Sequence, residues 1–414
     1  MDRKLTIVFF DAGGGHRSAA EALKAVLESQ SRPWQVELLN LQDLLDCLDV
    51  LKKLTGLRIQ DGYNLILRKG WTRLTPQLLP VLQSVLRAYH RPTVKLLAEH
   101  WKAHPTDFVL SVVPHFNRAL RESILKAMPA AHFVTVITDL ADYPPHFWIE
   151  KESEYLICGS EKAQQQAFAY GHNRAHVFLA SGMVMRPKFY AKRNVSRTEE
   201  HKKLGLDPST PTGIVLFGGH GSSTILNIVK RLNAGNASLQ LILICGKNPK
   251  LLDAAKKLKA RFPVFAEGFT QSVDYYMALS DFFIGKPGPG SISEALQFDL
   301  PVIVECNGRT LPQERYNAQW VTEKKLGVVL KSFRNINEGI EKLLDPDAFA
   351  EYRANAKAYK NNALYEIPEF LEEIAERRFS ADTGSSVASL EGTPALHRAA
   401  WASIRSRLQL DWGT

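Results

Sequence analysis

Short apolar runs alternate along the chain with segments in which apolar residues recur every three or four positions. The runs are typical of strands buried on both faces, and the periodic segments are typical of helices with one buried face. In the first half this pattern predicts strands at 5–10, 36–39, 108–113, 133–138, 155–158 and 177–179, and helices at 18–28, 118–126 and 161–170. Strands that alternate with helices predict a parallel sheet covered by helices on both faces.

A connector rich in Arg, Lys, Ser and Thr interrupts the alternation at residues 187–211, with a short helix predicted at 198–204. The alternation then resumes, with strands predicted at 213–217, 239–245, 264–266, 282–285, 301–304 and 328–330, and helices at 224–232, 248–259, 273–280, 291–297 and 314–325. The predicted fold class is therefore α/β, with two doubly wound Rossmann-like domains that face each other across a cleft.

The chain length also favours two domains, because 414 residues exceed what one hydrophobic core usually serves. We expect a first α/β domain at residues 1–190, a connector at 191–211, a second α/β domain at 212–335, helices at 336–380 and a tail at 381–414. The end of the tail is amphipathic, which is compatible with either a flexible tail or a second surface anchor.

The composition limits the class of protein. No apolar run is long enough to span a bilayer, so any membrane contact is expected to be peripheral. The four cysteines are Cys47, Cys158, Cys245 and Cys306, and their spacing is not that of a metal site. We expect them to be reduced thiols in the core of a cytoplasmic protein.

The net charge of +9 is distributed in a way that favours an anionic membrane surface over nucleic acid. Between residues 58 and 102, Arg and Lys alternate with Trp, Tyr and Leu at helical spacing, and the candidate membrane contacts are Arg68, Lys69, Trp71 and Arg73. An ordinary amphipathic helix with a solvated basic face explains the same pattern. No nucleic-acid recognition motif is present, so no nucleic-acid partner is expected.

A glycine-rich turn at residues 285–290 follows a predicted strand and precedes a predicted helix. Glycines let backbone N–H groups approach phosphate oxygens, and a helix N-terminus favours negative charge, so Gly290 and Ser291 are candidate phosphate ligands. Glu294 lies about one turn further on, where a carboxylate can accept hydrogen bonds from a ribose diol. A capping box formed by Ser291 and Glu294 is the alternative interpretation, and it requires no ligand.

A second glycine turn follows the first predicted strand, where Gly13, Gly14 and Gly15 form a candidate acceptor or phosphate loop. His16 stands at the start of the next helix, where the dipole favours a neutral imidazole that can act as a general base. The turn is neither a dinucleotide fingerprint nor a P-loop, because Ser18 replaces the third glycine and no Gly-Lys-Ser/Thr follows. A purely structural histidine is the alternative.

Further turns at predicted strand ends carry candidate ligands of a nucleotide sugar. Gly219 and Ser222 can donate to a diphosphate, and Phe269 can border a base. Gln313 and Glu314 open a helix and offer an amide and a carboxylate to sugar hydroxyls, although a helix-start Glu also has a capping explanation. The Asp-Pro-Asp sequence at 345–347 is interpreted as a helix start, and no metal site is expected.

These ordered motifs resemble the monogalactosyldiacylglycerol synthase and processive diacylglycerol glucosyltransferase family of GT-B glycosyltransferases. More distantly they resemble the peptidoglycan lipid N-acetylglucosaminyltransferase. The likeness runs from residue 10 to about residue 330 and also includes Thr138-Asp139, the segment 145–148, the segment 158–161, Gly182 and the segment 184–189.

The resemblance implies an inverting transferase that requires no cofactor or metal ion and moves a hexose from UDP-glucose or UDP-galactose to a diacylglycerol-type lipid. It implies uracil near Phe269, ribose on Glu294 and sugar hydroxyls on Gln313 and Glu314. The diphosphate would lie on Gly219, Ser222, Gly290 and Ser291. Asp11 or His16 would take the proton from the attacking hydroxyl, and the enzyme would act at the cytoplasmic, inner face of the cell membrane.

Departures from the family pattern leave the donor sugar open, because His220 with Ser222-Ser223, Pro312 and Arg315-Tyr316 lie near the expected sugar and phosphates. Two other functions fit the same scaffold. A UDP-sugar epimerase would act without an acceptor. A non-catalytic subunit would bind the nucleotide sugar or recruit a partner to the membrane without turnover.

Overall fold

The computed structural model describes residues 3–11, 14–30, 32–46, 87–191 and 195–382, with side chains described as far as Arg377. The candidate residues Gly13, Arg68, Lys69, Trp71 and Arg73 lie outside these ranges. Both sheets lie within one compact unit that ends at Pro368, and a second unit begins at Glu369.

The first sheet is parallel and has the strand order β2-β1-β3-β4-β5-β6. Its strands are β1 Arg3–Phe9, β2 Trp34–Asn40, β3 Phe108–Ser111, β4 His132–Ile137, β5 Tyr155–Cys158 and β6 Val177–Leu179. Its helices are α1 Gly15–Ser29, α2 Leu41–Leu45, α3 His90–Ala103, α4 Asn117–Ala127 and α5 Glu161–Ala169, with a 3₁₀ turn at Arg174–His176. The strand order reverses between β1 and β3, which is where a crevice for ligands opens in such sheets.

The second sheet is also parallel, with the order β12-β11-β10-β7-β8-β9. Its strands are β7 Thr212–Leu216, β8 Gln240–Ile244, β9 Val264–Glu267, β10 Phe282–Gly285, β11 Val302–Glu305 and β12 Gly327–Leu330. The helices from the connector onward are α6 Arg197–Lys203, α7 Thr224–Ala234, α8 Pro249–Lys256, α9 Val273–Ala278, α10 Pro289–Gln297, α11 Pro312–Glu323, α12 Ile336–Leu344, α13 Pro346–Ala358 and α14 Ala363–Asp382, with 3₁₀ turns at Pro187–Phe189 and Phe333–Asn335. Here the strand order reverses between β7 and β10.

The predicted fold class is confirmed, since both sheets are parallel and helices connect their strands. The central strands β3, β7 and β10 are buried at every position, as expected for strands of a parallel sheet that is covered on both faces. Asp345 caps α13 by accepting a hydrogen bond from the Ala348 N–H at 3.1 Å, which confirms the helix-start interpretation of the Asp-Pro-Asp sequence.

The capping-box interpretation of Ser291 and Glu294 is wrong. Helix α10 begins at Pro289, two residues before the predicted start, and Gly288 is its N-cap residue without a side-chain hydrogen bond. Proline is favoured at the first helical position because its fixed φ suits the helix and its missing N–H is not needed there. Ser291 therefore lies inside the first turn of α10.

Helix α3 is the described end of the basic segment at residues 58–102, and it is an ordinary amphipathic helix. Its apolar side packs into the core of the first domain through Val94, Leu97 and Trp101. The Trp101 indole N–H donates to the Ser123 hydroxyl on α4 at 3.0 Å. The exposed side of α3 is polar and includes Lys95 and Lys102, with Glu99 between them.

Candidate functional site

Glycine-rich turns connect three strands to helix N-termini at the two points where the strand order reverses. Helix α1 follows β1, α7 follows β7 and α10 follows β10, and the N-cap residue of each helix makes no side-chain cap hydrogen bond. Gly14 reaches the start of α1 in the left-handed region, with φ 82°. Uncapped first-turn N–H groups and the helix dipole favour an anion, so these turns form a candidate phosphate-binding region.

The two turns of the second domain lie side by side because β7 and β10 are neighbours, with Gly285 paired to Leu216. Lys286 extends between the turns, and its Nζ donates to Glu314 Oε1 at 2.6 Å. A methyl group built on Gly288 would lie 3.8 Å from that Nζ, and one built on Gly218 would lie 3.9 Å from Lys286 Cε. A cation therefore sits beside both glycine turns. Sequence reasoning missed it, although the lysine stands inside the turn itself.

The turn after β7 is held by a neighbouring turn after β8. The Lys247 N–H donates to the carbonyl of Gly219 at 2.9 Å, and Ser222 Oγ accepts from the Thr224 N–H at 3.2 Å. The Lys247 ammonium also lies 4.7 Å from the ring centroid of Phe269, which is 50 % exposed. The residues expected to contact the diphosphate and the uracil thus lie at the same edge of the second sheet.

Glu294 projects from α10 into a group of charged side chains. Burial raises its pKa to about 7, and the positive charges of Arg186 and Lys188 act in the opposite direction, while Asp274 adds to the increase. Near neutral pH the carboxyl is therefore poised between its acid and its carboxylate, and the carboxylate is the stronger acceptor for the two hydroxyls of a ribose diol.

Gln313 and Glu314 lie in the first turn of α11, and Glu314 contacts Lys286 of the turn after β10. Glu314 is only 7 % exposed and bonds Lys286, which places a carboxylate and an ammonium together at the carboxyl end of β10. No side chain caps α11, whose N-cap residue is Leu311.

His16 is held against the ends of β3 and β4. Its Nδ1 lies 3.3 Å from Thr138 Oγ1, a ring N–H donates to the Val112 carbonyl, and its ring centroid is 5.8 Å from that of Trp148. Burial lowers the pKa of His16 to about 4, so the imidazole is neutral at physiological pH, as the sequence predicted, but its basicity is low.

Asp11 is engaged in an ion pair. Its Oδ2 accepts from Arg17 Nη1 at 2.7 Å, and the side chains of both residues are substantially exposed.

Asp139, two residues after the end of β4, is a candidate acid or base that sequence reasoning did not select. Its Oδ2 accepts from the Trp148 indole N–H at 2.9 Å. Burial raises the pKa of Asp139 to about 7, the Trp148 hydrogen bond acts against the increase, and Glu314 and Lys286 of the second domain contribute opposing charge effects. Asp139 is therefore near enough to Glu314 and Lys286 for their charges to act on its carboxyl. In the sequence, Asp139 was marked only by its place at the end of a predicted strand, within the Thr138-Asp139 pair that forms part of the family likeness.

Two features are absent from the described part of the chain. It contains no group of three or more His, Cys, Asp or Glu residues that could hold a metal ion. None of its helices combines the length and apolar character that crossing a membrane requires. The expectations of metal independence and of peripheral membrane contact both stay predictions.

Comparison with known proteins agrees with this architecture. Residues 214–374 match the model of the glycosyltransferase family 28 C-terminal domain. The chain is 27% identical over 415 residues to the chloroplastic monogalactosyldiacylglycerol synthase of Spinacia oleracea, covering 91% of this chain and 73% of the relative. It is 29% identical over 353 residues to the chloroplastic monogalactosyldiacylglycerol synthase 1 of Arabidopsis thaliana, covering 81% of this chain and 64% of the relative, slightly less than two thirds.

Solved structures share the fold at low sequence identity. Acinetobacter baumannii MurG aligns with a TM-score of 0.59 at 12% identity, covering 90% of this chain and 100% of that protein. S. aureus MnaA in complex with UDP aligns with a TM-score of 0.58 at 14% identity, covering 90% of this chain and 97% of that protein. The chain thus has the two-domain fold of the GT-B proteins, matches the glycosyltransferase family 28 C-terminal model over its second domain, and is similar in sequence to the monogalactosyldiacylglycerol synthases over most of its length.

Proposed function

We propose that this protein is an inverting glycolipid synthase. It transfers a hexose from UDP-glucose or UDP-galactose to a diacylglycerol-type lipid, and it works as a peripheral protein at the cytoplasmic, inner face of the cell membrane. The names of its relatives support a lipid acceptor and a galactosyl transfer. The observation that carries the proposal is the position of Lys286 between two glycine turns that lead into the N-termini of α7 and α10.

This arrangement suits the departure of a diphosphate. Negative charge grows on the leaving phosphate as the sugar bond breaks, and preorganised N–H dipoles and an ammonium group stabilise that charge. Backbone N–H groups at Gly219, Gly290 and Ser291, with the Ser222 hydroxyl, would hold the diphosphate. Lys286 would then supply positive charge that a divalent cation provides elsewhere, so we expect activity without a metal ion or cofactor.

The remaining donor contacts follow the chain order of the second domain. Phe269 would border the uracil, Glu294 would accept from the ribose hydroxyls, and Gln313 and Glu314 would hold the sugar hydroxyls. Because Glu314 also bonds Lys286, the sugar site and the phosphate site are coupled through a single ion pair.

The chemical step is one displacement at the anomeric carbon. The acceptor hydroxyl oxygen forms the new bond to that carbon, the bond to the diphosphate oxygen breaks, UDP leaves with the electron pair, and the hydroxyl proton passes to a base on the first domain. Asp11 and His16 are the candidates from the sequence, and Asp139 joins them because it is buried and because its pKa is raised to about 7. The turn formed by Gly13, Gly14 and Gly15 would lie beside the acceptor.

The test is to incubate the protein with UDP-glucose or UDP-galactose and liposomes that contain diacylglycerol, with and without anionic lipid and with and without EDTA. We expect UDP release matched by glycolipid formation, a higher rate on anionic liposomes and no loss of activity with EDTA. A Lys286→Met variant should lose most of its activity, whereas Lys257→Met, at an exposed lysine of the same domain, should retain it.

Different results would identify the other functions. Conversion of the donor without an acceptor would indicate an epimerase. Binding of UDP without turnover on any liposome would indicate a non-catalytic subunit, and either outcome would contradict the proposed synthase.

A further inference from the structure

Trp148 is a fully buried tryptophan of the first domain whose indole contacts both of the buried candidate bases. Its Nε1–H donates to Asp139 Oδ2 at 2.9 Å. Its ring centroid also lies 5.8 Å from that of His16, with an angle of 54° between the rings. One side chain therefore touches two groups that could take the proton of an acceptor hydroxyl.

The backbone of Trp148 is fixed by two buried polar side chains. Its N–H donates to Asp142 Oδ1 at 2.7 Å, and its carbonyl accepts from Asn117 Nδ2 at 3.0 Å. Asn117 Oδ1 in turn accepts from the Ser111 hydroxyl at 2.7 Å. The indole packs in a core cluster that includes Ile137 of β4. Packing and hydrogen bonds of this kind hold a side chain in one orientation, so the indole N–H has a fixed direction.

The hydrogen bond from Trp148 distinguishes the two carboxyl oxygens of Asp139. Oδ2 accepts from the indole, whereas Oδ1 has no hydrogen bond within the described part of the chain. An ionised carboxylate can accept at both oxygens. Oδ1 is therefore the oxygen that can accept a hydrogen bond from an incoming hydroxyl.

The contact of Trp148 with His16 is of a different kind. The two rings lie side by side, and the indole N–H points to Asp139 instead of to the imidazole. The His16 Nδ1 lies 3.3 Å from Thr138 Oγ1. Trp148 thus gives a hydrogen bond to only one of the two buried candidate bases.

The other charged groups that act on Asp139 come from three segments. Asp142 lies in the same loop after β4, Glu314 lies in the first turn of α11, and Lys286 lies in the turn after β10. Asp142 and Glu314 raise the pKa of Asp139, and Lys286 lowers it. Among the described residues only Trp148 donates a hydrogen bond to this carboxyl, and that bond counteracts the effect of burial on its pKa.

We propose that Trp148 is a positioning residue: its indole N–H holds one oxygen of Asp139 and directs the other to the hydroxyl of the lipid acceptor. The inference rests on the proposed function, because it requires an acceptor hydroxyl that loses its proton in this cleft. The hydroxyl oxygen forms the bond to the anomeric carbon, and its proton passes to Asp139 Oδ1. The bond to the diphosphate breaks, and UDP leaves with the electron pair. The indole remains a donor to Oδ2 throughout the step.

The experiment measures kcat and KM for glycolipid formation on diacylglycerol liposomes between about pH 5.5 and pH 9, with UDP-glucose or UDP-galactose as the donor. The kcat of the wild-type protein should rise as pH increases through about 7, where Asp139 ionises. Trp148→Phe keeps an aromatic ring but removes the N–H that stabilises the carboxylate. The midpoint should therefore move upward by about one pH unit, which is the usual size of a hydrogen bond to a charged group.

Two further quantities report on orientation. At the high-pH plateau, where Asp139 is ionised in both proteins, the kcat of Trp148→Phe should still be about tenfold lower, because Oδ1 is no longer directed to the hydroxyl. The KM for the nucleotide sugar should stay within about twofold, since Trp148 lies in the first domain and the expected donor ligands lie in the second.

Trp101→Phe is the matched control. Trp101 is also fully buried in the first domain, and its indole N–H donates to the Ser123 hydroxyl at 3.0 Å. Among the described residues it has no hydrogen bond or ring contact with Asp139 or His16. The control variant loses the same volume and one indole hydrogen bond, so its thermal stability should fall by a similar amount while its pH midpoint and plateau kcat stay those of the wild-type protein.

A second replacement at position 148 separates the hydrogen bond from the packing. Benzothienylalanine, introduced at this position by an expanded genetic code, has nearly the shape of tryptophan with sulfur in place of the N–H. It should fold even where Trp148→Phe does not, and it should show the same upward shift of the pH midpoint.

The outcomes are distinguishable. If the wild-type protein forms no glycolipid with either donor, the proposed function is wrong. If it forms glycolipid but its kcat does not rise near pH 7, the synthase stands and the inference about Trp148 is overturned. The inference is also overturned if the midpoint stays in place without the N–H at position 148, or if Trp101→Phe moves it equally.

Discussion

At the scale of single residues, burial shifts the pKa values of the ionisable groups in the cleft in opposite directions. Burial raises the pKa of Asp139 and of Glu294 to about 7 and lowers that of His16 to about 4. Pairs of groups separated in this way are typical of acid–base sites, because a base works best when its pKa is near the working pH. Asp139 meets this condition more closely than His16 does.

We therefore expect Asp139→Asn to lower kcat about a hundred- to ten-thousand-fold, the usual contribution of a general base. The kcat of the wild-type protein at saturating donor should rise as pH increases through about 7, where the carboxyl ionises, and the variant should lose this rise. The measurement is the pH dependence of UDP release on diacylglycerol liposomes.

The controls for this prediction are Asp11→Asn, at the carboxylate paired with Arg17, and a stability measurement. Asparagine still accepts from the Trp148 indole and removes a buried charge, so Asp139→Asn should not unfold at a lower temperature than the wild-type protein at pH 8. A pH profile that survives in Asp139→Asn and disappears in Asp11→Asn would assign the base to Asp11 instead.

At the scale of elements, the turn after β7 depends on a glycine that contacts the next turn. Gly221 has φ 68°, and a Cβ at this position would overlap the Cys245 carbonyl oxygen. The turn after β8 therefore supports the proposed diphosphate ligands at close range, and the close approach is possible only without a side chain.

Gly221→Ala should lower the free energy of unfolding by about 3 kcal/mol, because left-handed strain of about 1 kcal/mol is joined by a backbone clash of about 2 kcal/mol. Gly205→Ala is the matched control, since Gly205 has φ 71° and open space around its Cβ position, and it should cost only about 1 kcal/mol. Urea denaturation measures both values. Equal losses in the two variants would show that the contact with Cys245 is unimportant.

At the scale of the whole molecule, the described part of the basic segment offers charge to a membrane but no apolar face. Helix α3 buries Val94, Leu97 and Trp101 in the first domain and exposes Lys95 and Lys102. Any membrane contact through α3 is therefore electrostatic, which makes it sensitive to anionic lipid and to salt.

Lys95→Glu combined with Lys102→Glu should weaken binding to anionic vesicles by at least about tenfold, since each basic residue near such a surface contributes about 1 kcal/mol. Vesicle co-sedimentation at low and high salt measures the effect. Lys230→Glu with Lys257→Glu makes the same change in net charge at exposed positions of the second domain. Equal losses in the two double variants would indicate a response to net charge rather than a membrane-facing α3.

The sequence by itself determined the alternation of strands and helices, the two Rossmann-like domains and the glycine turns, because hydrophobic periodicity and glycine placement are local properties. It misplaced the start of α10, since Ser291 and Glu294 match a capping box while Gly288 and Pro289 actually begin the helix.

The electrostatics of the site could not be predicted from the sequence. Lys286 donates to Glu314, the charges of both act on Asp139 of the other domain, and Arg186 acts on Glu294. Desolvation and charge coupling depend on distances between residues far apart in the chain, and the fold alone sets those distances.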